Sequence, residues 1–300
     1  MNTQNNQNTH ILLNHPILSA ILLDFLYILI YAGIALCFRL FGTGSDVPEA
    51  ASFLIAVLPA FGLALTVKLA LKNGFILGLR RKKFGECVKL GWPILTFLVL
   101  EIVLNSLDHP WYAAVTFAGL TSAFFYAASY GFSEELLFRS VMTNNMMRVW
   151  MNKKHGIYSA AVISSLLFGA VHLFNAVSSG FTPALICQLA YAAAMGVLFG
   201  AMFLRTRNLW GCIFIHTLLD FISILFSAGD TASNEAVSKM LSTAVSIEAL
   251  MFYALLIASS LAAAVYIMRP SKHEQIKSNW MPAQSEVAET ASSRAASQFV

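Results

Sequence analysis

Charge is scarce in this 300-residue chain. Asp, Glu, Lys and Arg make up 11% of it, against 58% hydrophobic residues, where a soluble domain carries about 25% charged residues. That shortage excludes an ordinary water-facing globular domain. Cysteine is nearly absent too: Cys37, Cys87, Cys187 and Cys212 are the four, and none are spaced C-x-x-C. A disulfide framework or a thiolate metal site is not expected. The net charge is only +4, and no basic run is interleaved with aromatics, which argues against nucleic acid as a partner. Residues 1–16 contain no Lys or Arg. They lack the cationic start of a cleavable signal peptide, so the first apolar stretch is expected to be a retained span. No internal repeat is visible, which weakens an inverted-repeat transporter reading.

What the chain has is long apolar runs. About 20 apolar residues cross a bilayer, and by that measure eight spans are expected, at roughly 17–39, 52–71, 90–107, 113–131, 157–174, 184–204, 209–227 and 247–268. The fold class is therefore an all-α polytopic membrane protein of about eight transmembrane helices. Residues 1–16 form a polar N-terminal tail and 17–268 the transmembrane domain. Residues 269–300, rich in Ser, Ala and Gln, are expected to be a disordered tail. The connections 72–89, 132–156, 205–208 and the C-terminal tail hold nearly all of the 19 basic residues, while the opposite connections hold only Lys239. The excess of positive charge on cytoplasmic loops places both termini in the cytoplasm of a cell-membrane protein. The 23 phenylalanines spread through these runs and read as packing and lipid contact.

Three of the apolar runs carry polar clusters that lipid would penalise: Glu134-Glu135-x-x-x-Arg139, Phe168-x-x-x-His172 and His216-x-x-x-Asp220. Ionisable groups at such positions face a bundle interior and mark functional sites. Glu135 and Arg139 share a helix face one turn apart and can form an ion pair. Glu134 points about 100° away and is free to face a cavity. With a rise of about 1.5 Å per residue, the clusters reach overlapping depths only if the Glu134 helix runs on to about Trp150. Residues 113–150 are too long for one straight span, so a break or bend near Gly131 is expected.

The residue types suggest hydrolysis of an amide bond. A carboxylate beside a histidine in a dry cavity can deprotonate water. A second histidine with a neighbouring carboxyl can hold an oxyanion. Alternatively Glu134, His172 and His216 could bind Zn²⁺ and leave a position open for water.

At these residues the chain resembles the CPBP family of intramembrane endopeptidases, which includes the CAAX prenyl proteases and the Abi-type bacteriocin-processing or immunity proteins. The family's E-E-x-x-x-R, F-x-x-x-H and H-x-x-x-N/D motifs read here as SEELLFRS, LFGAVH and IHTLLD. The resemblance covers about residues 125–225, within an expected protease-like core of about 113–227. It implies that Glu134 is the base that activates water, assisted by His172. It implies further that His216 and Asp220 hold the oxyanion or the water, with Glu135, Arg139 and Phe168 in support. Two residues depart from the pattern: Ser140 stands where many members have Gly, and Asp220 where many have Asn. The family is nominally classed with metallopeptidases, so a Zn²⁺ cofactor or none are both expectations. The implied partners are membrane lipids and a peptide or lipidated-peptide substrate. Two alternatives are a non-proteolytic bacteriocin-immunity or membrane partner protein of the same fold and, less favoured, an ion-coupled transporter.

Overall fold

A computed structural model describes residues 14–41, 49–71, 77–108, 116–228 and 245–280. Among the described residues every regular element is helical. The long helices are α1 (Pro16–Phe41), α2 (Glu49–Leu71), α4 (Trp92–Asp108), α5 (Phe117–Glu135), α7 (Gly156–Val171), α9 (Pro183–Thr206), α10 (Leu209–Ala228) and α11 (Ile247–Ile267). Shorter helices are α3 (Phe84–Leu90), α6 (Asn144–Trp150), α8 (Ala176–Ser179) and α12 (His273–Trp280).

Helix thus occupies all eight expected segments, though not all eight qualify as spans. Among the described residues six helical stretches are long and apolar enough to cross a membrane, and α3 with α4 form a seventh candidate bent by 65°. Helix α5 is not among them; its second half carries Ser129, Ser133, Glu134 and Glu135, which dilute its apolar character. Large apolar side chains stand exposed along the bundle, including Phe25, Leu29, Val99, Leu166, Leu255 and Val265. Such a surface is an aggregation hazard in water and the expected surface in lipid. The chain is a multi-pass membrane protein.

Helix starts follow local chemistry. Thr116, Thr182 and Ser246 each accept a hydrogen bond from a backbone N–H three residues on, at 3.0, 3.1 and 3.2 Å. These side chains satisfy donors that a helix leaves unpaired at its N-terminus. Pro183 sits in the first turn of α9, where its missing N–H costs nothing.

The expected break near Gly131 does not occur. α5 runs through Gly131 to Glu135, and the winding loosens five residues later, into a π-helix over Leu136–Thr143 that passes directly into α6. Thr143 Oγ1 donates to the Phe138 carbonyl five residues back at 2.7 Å and lies within hydrogen-bond distance of Ser164 Oγ, at 2.9 Å. The wider turn gives the backbone and Thr143 an arrangement that an α-helix would not. All eight residues of the π-helix are buried. Gly131 has a different role. A Cβ there would lie 2.9 Å from the Thr217 backbone N and 3.2 Å from its Cα, so the glycine is what lets α5 and α10 meet backbone to backbone. Small residues serve helix contacts in membranes this way because lipid gives apolar surface no incentive to bury.

Helix α9 packs along α7 and α11, α10 along α5, and α2 along α5. The π-helix and α6 fill the centre, with Phe138, Met142, Met146 and Met147 in one cluster with Leu198, Phe199 and Phe203 of α9. Of the tail expected to be disordered, residues 270–280 are folded. Trp280 Nε1 donates to the Leu204 carbonyl at 3.1 Å and Asn279 Nδ2 to that of Arg205 at 3.0 Å. The apolar Ile276 and Trp280, spaced one turn apart in a short polar stretch, drive this docking. Residues 281–300 and most of the N-terminal tail, 1–13, lie outside the described residues.

Candidate active site

The site forms where the end of α5 meets α10, beneath α7 and α9. At its base, Arg139 Nε and Nη2 bond both oxygens of Glu135, at 3.1 and 3.3 Å. Both side chains are fully buried. An isolated buried guanidinium would be very costly, and the two-point pairing is what makes it tolerable. The guanidinium also lies over the rings of Phe168 and Phe199, 5.0 and 5.7 Å from their centroids, where a cation is attracted to the aromatic face.

Glu135 Oε1 has a second partner, His216 Nδ1, at 3.0 Å. With Arg139 holding Glu135 as an acceptor, Nδ1 carries a proton and donates it. That assignment follows from the network. The other ring nitrogen, Nε2, is thereby turned toward two carboxyl groups, Glu134 Oε2 and Asp220 Oδ2, each at 3.6 Å. The helix geometry expected from sequence is present: adjacent glutamates diverge, one fixed by the arginine and one free. Glu135 has 0% of its side chain exposed, Glu134 16% and Asp220 30%.

The His216 ring is stacked on Phe199 at 5.5 Å, with 19° between the planes, and is edge-on to Phe168 at 5.8 Å. His172 approaches from the end of α7, where the chain tightens into a 3-10 turn over His172–Asn175. Its ring stands edge-on to Phe168 at 5.3 Å. Phe168 thus touches Arg139, His172 and His216, which gives this motif residue a structural part. The fold brings all three motifs together, and His216 is the histidine next to Glu134.

Phe199 was not identifiable from sequence; it is one phenylalanine of 23 on an apolar helix, and only packing distinguishes it. Ser140, where the motif departs from glycine, is buried with its hydroxyl unpartnered among the described residues. Of the other intramembrane acids, Glu101 hydrogen-bonds Ser223 of α10, and Asp24 makes no ion pair among the described residues. Among the described residues no three His, Cys, Asp or Glu side chains are grouped to hold a metal ion, Glu134, His172 and His216 included. The residues as arranged do not fit a Zn²⁺ site.

The fold and site define a polytopic α-helical membrane protein with a carboxylate–histidine cluster buried within its bundle. Residues 116–222 match the family described as type II CAAX prenyl endopeptidase Rce1-like. That stretch runs from the cap of α5 to just past Asp220 and contains every motif residue. The match supports the resemblance of this core to the CPBP/CAAX protease family. No match is found among curated proteins or among solved structures.

Proposed function

We propose that the chain is an intramembrane endopeptidase that hydrolyses a peptide bond in a membrane-associated peptide, of the prenylated or bacteriocin-like class. The observation that carries this reading is the convergence of Glu134 and Asp220 on His216 Nε2, with Nδ1 fixed by the Glu135–Arg139 pair. The 3.6 Å gaps exceed hydrogen-bond length and suit a water molecule shared among the three groups.

Glu134 is assigned the role of base. As the water oxygen bonds to the scissile carbonyl carbon, its proton passes to the Glu134 carboxylate and the carbonyl electrons move onto oxygen. His216, steadied by Glu135 and with Asp220 beside it, orients the water, and His172 is assigned the oxyanion. The same proton then moves from Glu134 to the leaving nitrogen as the C–N bond breaks, giving a carboxylic acid and an amine. General base catalysis of this kind contributes about 10²–10⁴-fold. The eight-span topology with both termini in the cytoplasm, and a site opening to that side, belong to the same proposal.

The test is reconstitution in liposomes with farnesylated and unmodified membrane peptides, products being identified by mass spectrometry. Glu134→Gln should lose cleavage by about 10²–10⁴-fold while its unfolding temperature stays that of the parent. Cleavage by the variant at the parent rate would remove Glu134 as the base.

A further inference from the structure

The turn between α9 and α10 brings Arg80 against Arg207, with Arg205 two residues earlier in the last turn of α9; the proposed chemistry uses none of the three. α9 ends at Thr206 and α10 begins at Leu209. Both are span candidates, so the turn sits at headgroup level if they cross the bilayer. Arg80 reaches this turn from the segment before α3. Its Nε and Nη2 donate to the carbonyls of Arg207 and Thr206, both at 3.3 Å. Asn208 ties the same segment down by donating to the carbonyls of Arg80 and Lys82 at 2.6 and 2.9 Å. Leu209 N–H donates to the Gly78 carbonyl at 2.9 Å. The cluster is therefore built by backbone anchoring and is more than a chance meeting of flexible side chains.

Among the described residues nothing of opposite charge answers it. Among the described residues no carboxylate comes within 4.0 Å of Arg80, Arg205 or Arg207. Arg205 Nη1 and Arg207 Nε are buried without a hydrogen-bond partner. The Arg207 guanidinium rests over the Trp280 ring, 5.8 Å from its centroid. Arg207 itself holds a left-handed backbone, φ 53°. Burial and then the nearby Arg80 push its guanidinium down to about 10, so the charges oppose one another as placed. Arg80 is accounted for as a cap on the carbonyl end of α9; Arg205 and Arg207 are not. Both residues remain partly exposed.

We propose that Arg80, Arg205 and Arg207, backed by Trp280, form a site for a phosphate group, supplied by an anionic phospholipid headgroup. Guanidinium forks match phosphate oxygens in geometry as well as charge. Trp280 would provide the amphipathic ring that suits the headgroup level.

Full-length protein purified in neutral detergent is titrated with dioctanoyl phosphatidylglycerol, dioctanoyl phosphatidylcholine and inorganic phosphate, bound lipid being counted by native mass spectrometry. The phosphatidylglycerol should bind saturably and about tenfold or more tighter than phosphatidylcholine. The double variant Arg205→Gln/Arg207→Gln should weaken its binding by a similar factor, about tenfold or more. These two side chains anchor no loop, so folding is expected to survive; an unchanged unfolding temperature checks it. Arg207→Lys alone should retain most binding, and Lys277→Gln, at an existing ion pair with Glu274, all of it. Displacement of the lipid by inorganic phosphate would uphold the phosphate site and assign it to a soluble source. Equal binding of the two lipids, or undiminished binding by a folded double variant, would overturn the proposal.

Discussion

Glu135 Oε1 and His216 Nδ1, 3.0 Å apart, join two helices across the buried centre of the bundle. The bond links the arginine-fixed end of α5 to the one ring whose other nitrogen faces Glu134 and Asp220. It gives the two neighbouring glutamates opposite sensitivities. Glu135→Gln leaves Arg139 buried without its counter-charge, a loss of about 3–5 kcal/mol for a broken buried pair. Glu134→Gln alters a carboxyl that stands 3.6 Å from its partner His216 Nε2 and should change stability by less than about 1 kcal/mol. Thermal unfolding in detergent separates them: Glu135→Gln melts well below the parent and Glu134→Gln with it. Matching melting curves for the two variants would mean that the Glu135–Arg139 pair does not hold the fold.

Gly131 makes a second prediction through backbone proximity. A methyl group there meets the Thr217 backbone, which cannot rotate away as a side chain tip can. Gly131→Ala should therefore push α10 from α5, costing about 1–3 kcal/mol as overpacking. It should also carry His216 and Asp220 out of reach of Glu134, so cleavage falls more than stability does. Gly62 is the control, since a Cβ there meets nothing within 4 Å. Gly62→Ala should be neutral or slightly stabilising, by up to about 1 kcal/mol. Equal activity in both variants would show that the close α5–α10 approach is unimportant to the site.

What could be read in advance and what could not divide along physical lines. Glu134, Glu135, Arg139, His172, His216 and Asp220 stand out because an apolar background makes each polar residue costly, and spacing alone separates the glutamate held by Arg139 from the free one. The continuation of helix to Trp150 followed from depth, because a span ending at residue 131 would leave Glu134 out of reach of His172. The π-helix over Leu136–Thr143 did not follow. It depends on Thr143 finding both the Phe138 carbonyl and Ser164, and Ser164 lies on another helix. Phe199 was hidden for a similar reason: its stacking on His216 exists only once α9 and α10 are packed. The fold of residues 270–280 was masked by polar composition, with only Ile276 and Trp280 to signal it.

Asp220 stands 3.6 Å from His216 Nε2, at a position where the resemblance allows Asn. If its part is to hold His216 or the water by a hydrogen bond, Asn preserves it and Ala does not. Asp220→Asn should keep cleavage within about tenfold of the parent, and Asp220→Ala should lose about 10–100-fold in kcat/KM, the range expected for a hydrogen bond to a charged group. The two variants are compared on one peptide at saturating and limiting concentration. A hundredfold loss in the Asn variant would make the carboxylate charge itself necessary.

Asn208 lies away from the chemistry but clamps the loop that carries Arg80. It is fully buried, donates to the Arg80 and Lys82 carbonyls, and accepts from the Gly211 N–H at 2.8 Å. Asn208→Ala strands these three backbone groups, and a buried group left unsatisfied costs about 1–3 kcal/mol. The burden falls on the segment Gly78–Lys83, because α9 and α10 keep their own packing. Limited trypsin digestion reads this directly: the variant should be cut after Arg80, Arg81 or Lys82 much faster than the parent, while the rest of the bundle keeps its resistance. Asn208→Asp, which keeps the acceptor for Gly211 but presents an anion to two carbonyls, should be at least as susceptible. A parent-like digestion pattern in both variants would place the anchoring of this loop elsewhere, on Arg80 and the Leu209–Gly78 bond.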